Sequence, residues 1–246
     1  MKRIIILSGA AGFALLFIVS AVEAASIGGP GFLPEKGRYV IAVEYDSLKE
    51  RAFSDSTFSS QSVNAECKQY VAKVVYGLSH RVSVVVKGGS SDLKIWEGTT
   101  AKRSQSGGLA YGLGAKVIFY EDLNLGLNLC GEAQYFSFSP GDSGSETAKW
   151  KEWDGALFVT IVNMITEAES LVEPFSLTST GFHAGLRYSN ANIDWTSGST
   201  SGTLEADDTV GFFGGFDFVF NDNYLLGIEA RFSDEKAYTA ALGFKF

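Results

Sequence analysis

The feature that most narrows what this chain can fold into lies in its last nine residues, Tyr238-Thr-Ala-Ala-Leu-Gly-Phe-Lys-Phe246. Tyr238, Ala240, Leu242, Phe244 and Phe246 fall at alternate positions, and Thr239, Ala241, Gly243 and Lys245 fill the places between. A period of two is a β-strand with one apolar face and one small or polar face. The pattern recurs along the chain, and charged residues in it keep to the face opposite the apolar one. Such strands have two homes. In a soluble sandwich the apolar face turns inward; in a bilayer barrel it meets lipid and the charged face is enclosed.

The start of the chain favours export. Lys2 and Arg3 precede an apolar or small run from Ile4 to Val22, and Val22-Glu23-Ala24 before Ala25 fits a signal-peptidase site. Residues 1–24 read as a secretory signal peptide, with export by the Sec pathway. Beyond it no uninterrupted apolar run approaches the roughly 20 residues of a membrane helix. Residues 25–37 are a Gly/Pro-rich periplasmic N-terminal segment, and 38–246 form the folded unit. A net charge of −8 argues against nucleic acid as a partner. With 28 Gly, 13% aromatics and only 4 Pro, the composition suits many short strands.

Ten strands can be traced. The apolar positions are Tyr39, Ile41, Val43 and Tyr45; Tyr70, Ala72, Val74 and Tyr76; Val82, Val84 and Val86; Leu109, Tyr111, Leu113, Ala115, Val117 and Phe119; and Leu123, Leu125, Leu127, Leu129, Ala133 and Tyr135. They continue with Trp153, Leu157, Val159 and Ile161; Phe182, Ala184, Leu186 and Tyr188; Val210, Phe212, Phe216, Phe218 and Phe220; Tyr224, Leu226, Ile228, Ala230 and Phe232; and the terminal strand. The parity of the third breaks near Gly88-Gly89, which predicts a bulge or an extension beyond the membrane. The strand over 175–195 changes parity near Gly181 and Asn190. The turn over 164–174 has room for a short helical turn.

Two regularities choose the barrel. Connections alternate between short (Ser79-His80, Glu121-Asp122, 221–223) and long (47–66, 97–107, 139–147, 196–206), as periplasmic turns and outer loops do. Aromatics gather at both ends of the apolar faces: Tyr39, Tyr76, Phe119, Phe220, Tyr224 and Phe246 at one, Tyr45, Tyr70, Tyr111, Tyr135, Trp153, Phe232 and Tyr238 at the other. Such girdles mark membrane interfaces. The expectation is an all-β, closed, antiparallel up-and-down transmembrane barrel of about ten strands, with eight or twelve as alternatives. The terminal strand, with Tyr238, Leu242, Phe244 and a final Phe246, resembles the insertion signal of Gram-negative outer-membrane barrels. The whole pattern resembles the small outer-membrane proteins of the OmpX/OmpW/opacity-like kind. That resemblance implies residence in the outer membrane among its lipids, insertion by the barrel-assembly machinery through the C-terminal strand, and a monomer.

The enclosed face carries the remaining information. Its charges are Glu44, Lys73, Lys87, Lys116, Glu132, Glu152, Asp154, Arg187, Asp217, Glu229, Arg231 and Lys245, with His183 beside Arg187. Expected neighbours are Glu44 with Lys73 and with Lys245, Asp217 with Arg231, and Glu229 with Lys245. In a narrow barrel these pair and fill the interior. Gly112, Gly114, Gly211, Gly215 and Gly227 also face in and leave the alternative of a narrow pore for polar or amphipathic solutes. No catalytic, cofactor or metal site is expected. His80 lies in a turn. No histidine stands at the outer rim where an omptin-like protease needs one. Arg187-Tyr-Ser-Asn resembles the His-x-Ser-Asn segment of lipid A deacylases, but Arg187 stands in place of the base, leaving Ser189 a poor nucleophile. A lipid or peptide hydrolase is therefore the distant alternative. Cys67 and Cys130 fall on non-neighbouring strands and are not expected to bond.

Overall fold

The computed structural model describes residues 33–55, 63–97, 100–141, 146–165, 170–172 and 175–246. The signal peptide and most of the 25–37 segment lie outside them. Twelve strands follow in order: β1 Tyr39–Asp55, β2 Val63–Gly77, β3 Val82–Glu97, β4 Thr100–Asp122, β5 Leu127–Ser139, β6 Glu146–Met164, β7 Ser170–Val172, β8 Phe175–Ser197, β9 Thr200–Ala206, β10 Val210–Phe220, β11 Tyr224–Phe232 and β12 Lys236–Lys245. Ten of them, all but β7 and β9, pair antiparallel in a closed ring, in which β1 meets β12 and β8 meets β10. There is no helix among the described residues. The start of β1 and the end of β12 lie at one end, called here the terminal end; the opposite end is the loop end.

The longer strands pass through two solvents. On β3, Ser83, Val85, Lys87, Ser91, Leu93 and Ile95 are all buried, and Val86 is 61% exposed. The register between β2 and β3 runs from Val63↔Glu97 to Gly77↔Ser83 without a shift. The expected bulge at Gly88-Gly89 is absent; the strand simply continues beyond the lipid. In the lower part the outside is apolar and the inside charged. In the upper part Leu93 and Ile95 enter a dry core while Asp92 and Lys94 face water. Likewise β8 keeps one register with β6 throughout. The apparent parity changes near Gly181 and Asn190 are changes of surroundings: Ala191 and Ile193 join the same upper core.

This inversion corrects the loop map. Much of 47–66, 97–107 and 196–206 is strand, because a segment with apolar side chains inside and Ser, Thr and Lys outside looks like a loop to a search for outward apolar faces. The fifth strand also starts later. Leu123–Gly126 are a turn whose Asn124 and Leu125 N–H groups are capped by Asp122 Oδ1 at 2.9 and 3.3 Å. Gly126 adopts φ 61° there, and a Cβ would stand 2.1 Å from the Val162 carbonyl oxygen. Asn221-Asp222, with φ of 49° and 63°, makes the tight turn that Asn and Asp tolerate. Within 164–174 the described residues hold the short strand β7 rather than a helical turn.

The interior is filled in three tiers. At the loop end Phe53, Phe136, Phe138, Trp150, Leu93, Ile193 and Leu204 form one apolar core, with Phe138 stacked on Trp150 at 5.5 Å and Phe53 edge-on to it at 5.3 Å. β9 closes this tier: it pairs with β8 over Thr200–Glu205 and with β1 over Leu204–Ala206. It takes the place of β10, β11 and β12, which stop lower. Charged residues fill the middle. At the terminal end Val40, Ala42, Val75 and Leu225 pack together, and Leu33, from the segment before β1, packs against a cluster of Ile118, Cys130, Phe158 and Phe213. Outside, Tyr39 stacks on Phe246 at 4.7 Å, and Tyr45 meets Tyr70 at 4.6 Å and Tyr135 meets Trp153 at 4.8 Å in tilted pairs, each pair at an end of the apolar band.

Candidate functional site

The charged middle tier holds two networks. The upper one is organised by the turn between β11 and β12. Ser233 adopts φ 91° there, a left-handed conformation uncommon for serine. It turns Asp234 and Glu235 into the barrel, where both are 4% exposed. Glu235 receives Arg187, Arg51 at 3.0 Å and Arg231 at 2.6 Å, so one carboxylate ties β8, β1 and β11. Arg187 also reaches Asp154 at 2.6 Å, Glu152 at 2.8 Å and Asp234 at 3.4 Å. Arg51 donates to Glu152 at 2.7 Å and to Ser189 Oγ at 3.0 Å, and Trp150 Nε1 donates to Glu152 at 3.0 Å. The turn sits at the rim, outside the spanning strands. Burial pushes the Asp234 carboxyl up to about 6 against its arginines. Burial acts on Glu235 in the same sense, but Arg187, Arg231 and Arg51 outweigh it and hold that carboxyl at about 2.

The lower network spans β1 to β5 and β8 to β11. Glu44 is ion-paired with Lys73 at 2.7 Å and accepts from Lys87 at 3.3 Å. Lys116 lies 3.8 Å from Glu132 and over the Phe158 ring at 5.0 Å. His183 Nε2 is 3.2 Å from Glu229, and its Nδ1 is 3.3 Å from Asp217 Oδ2. The Asp217 contact is close enough for an ion pair but not aligned as a hydrogen bond, so neither Asp217 oxygen has a hydrogen-bond donor.

The structure therefore brings together Glu44, Lys73 and Lys87; Lys116 and Glu132; Asp154 and Arg187; and His183, Asp217 and Glu229. Arg231 meets Glu235 rather than Asp217, which lies opposite Gly227 while Arg231 lies opposite Phe213. Lys245 stands across from Val40, below Glu44, which lies opposite Ala241. The expected neighbours fail here because strand stagger moves partners by several residues, and a list of facing residues carries no register. Arg51, Asp234 and Glu235 lie in stretches read as loop and turn. For Asp234 and Glu235 the one signal was charge in a short connection; Arg51, inside the long 47–66 connection, had none. Ser189 is fully buried; its hydroxyl donates to Glu152 at 2.6 Å. Cys67 and Cys130 are free and buried. Among the described residues no three of His, Cys, Asp and Glu are grouped to hold a metal ion.

Four of the inward glycines do not leave open space. A Cβ on Gly112 would stand 2.9 Å from Phe136, on Gly114 2.8 Å from Gln134, on Gly211 1.8 Å from Asp234 and on Gly215 2.6 Å from His183. Each glycine makes room for a neighbour that fills it.

No family model matches the chain, and no curated protein matches it by sequence. Solved structures do match by shape. The translocator domain of autotransporter NalP from Neisseria meningitidis is 10% identical, with 86% of this chain and 88% of that one covered, at a TM-score of 0.40. The outer membrane protein OprG from Pseudomonas aeruginosa is 10% identical, with 87% and 97% covered, at 0.39. The COG4313 outer membrane channel from Pseudomonas putida F1 is 10% identical, with 90% and 99% covered, at 0.39. At this identity and these scores the likenesses fix no single family.

Proposed function

We propose that the protein is a sealed barrel of the Gram-negative outer membrane, a rigid pedestal that holds a water-exposed upper tier and its loops at the cell surface. One observation carries this reading. At each of the three tiers, packed apolar side chains or ion-paired charges cross the interior. A porin instead keeps a polar, water-filled lumen. With its interior full, this chain offers an outer surface rather than a path. Export by the Sec pathway and monomeric insertion through the C-terminal strand, with Tyr238, Leu242, Phe244 and Phe246 on its lipid face, belong to the same proposal. Ser189 supports no hydrolase role, since its hydroxyl is bonded to Glu152 and Arg51 beneath the apolar tier.

Single-channel recording in planar bilayers tests the sealed interior. The expected result is no steady current from the mature chain. A steady open-state current would replace the pedestal with the narrow-pore reading. Deleting Phe246 tests the insertion signal: unfolded protein should accumulate in the periplasm.

A further inference from the structure

A cavity of about 110 Å³ opens at the terminal end of the barrel, periplasmic on the reading above, between Leu33, Met164 and Val219. Its polar lining is Ser179, Asp217 and Lys245. Phe158 and Phe213, in edge contact at 5.5 Å and packed with Leu33, belong to the cluster that seals the barrel interior here.

Asp217 is 2% exposed, and both its oxygens lack a hydrogen-bond donor, although His183 stands at ion-pair distance from one of them. With His183 as its one ion-pair partner, this carboxylate keeps acceptor capacity toward the cavity it lines. Lys245, half-buried at the mouth, has no ion-pair partner among the described residues. The two do not reach each other. Asp217 is level with Gly227, and Gly227 with Ala241, four residues along β12 from Lys245, or about 13 Å of strand. The cavity thus offers an acceptor deep inside and a cation at its mouth, with a gap between them. One water needs roughly 10–15 Å³ of such space, so the cavity admits several waters or a molecule of about six heavy atoms.

We propose that this cavity binds a small zwitterion, with its ammonium group on the Asp217 carboxylate and its carboxylate on the Lys245 ammonium. A simple cation meets Lys245 on the way in, and a simple anion meets Asp217 at the bottom. Only a ligand carrying both charges, ammonium first, is complementary to both ends. Ser179, 8% exposed, lends a hydroxyl to the wall. The proposal goes beyond the sealed-barrel reading, because a blind pocket binds without conducting.

The test is calorimetric titration of the mature chain, folded in detergent, with β-alanine, propylamine and propionate, three probes of nearly equal size. β-Alanine should bind saturably, and each single-charge analogue at least tenfold more weakly. Lys245→Met should weaken β-alanine at least tenfold and leave propylamine no weaker. Asp217→Asn should weaken both. Should Asp217→Asn fail to fold, Lys245→Met at the mouth still decides the matter. Absence of saturable β-alanine binding, equal affinity for β-alanine and propylamine, or wild-type affinity in Lys245→Met would each overturn the proposal. A barrel that conducted yet bound β-alanine in this pattern would sink the sealed interior and leave the site standing.

Discussion

Replacing Glu235 with glutamine removes one charge from the point where three strands are tied. Arg187 keeps Asp154, Glu152 and Asp234, and Arg51 keeps Glu152. Arg231 keeps no carboxylate within ion-pair distance among the described residues. It is 4% exposed and cannot turn to water. Removing one partner of a buried pair costs about 3–5 kcal/mol, most of it from the charge left behind. The double variant Arg231→Met/Glu235→Gln removes that stranded charge. It should be more stable than Glu235→Gln alone, with a coupling energy of about 2–3 kcal/mol. Equilibrium urea unfolding in lipid vesicles, followed by tryptophan emission and by heat-dependent gel mobility, measures both quantities. A single variant within about 1 kcal/mol of wild type, or a double variant equal to the sum of its singles, would refute the claim that Glu235 holds Arg231.

The same turn makes a pH prediction. Glu235 is held at about 2, below its ordinary 4.5, so its contribution is full above pH 4.5 and is lost as pH falls toward 2. Asp234 is raised to about 6 from 3.8, so its contribution is present below 3.8 and is lost as pH rises through 6. Unfolding midpoints should therefore peak between these limits, with Glu235→Gln flattening the acid limb and Asp234→Asn the neutral one. The two-solvent reading predicts that Leu93→Ala, in the upper core, costs about 2–5 kcal/mol. Leu113→Ala on the lipid face should lose well under half of that in the same unfolding assay. Cys67 and Cys130 should resist maleimide in the folded barrel and label fully in urea, and mass spectrometry counts the adducts; labelling of either in the folded state would contradict its burial.

Sequence alone went far with the lower half of the molecule and stopped at the upper half. In lipid, outward apolar positions such as Val82, Val84 and Val86 make each spanning strand visible. Above the girdle the outside becomes polar, and Leu93, Ile95, Ala191 and Ile193 sit on the face that carries charge below. A reader tracking the greasy face sees a parity break and places a loop. The inward set of charges was legible because charge cannot face acyl chains. Their partners were not, because pairing depends on stagger: Lys245 lands beside Val40, and Arg231 finds a residue from its own turn. Glu235 was invisible for a further reason. A Ser-Asp-Glu-Lys turn is ordinary surface chemistry unless the backbone folds it inward, and Ser233 does that with a conformation no motif announces.

β1 is gripped along one edge by two different strands, β12 over Val40–Glu50 and β9 over Phe53–Asp55. A sheet closing on itself can slip by two residues and still keep every greasy side outward, so hydrogen bonding at the seam tolerates that error. Here a slip would drag Phe53 past Leu204 and carry Arg51 off Glu235, so the upper grip works as a vernier on the lower one. Assembly that ends with the first and last strands meeting thus carries its own check on whether they met at the right notch.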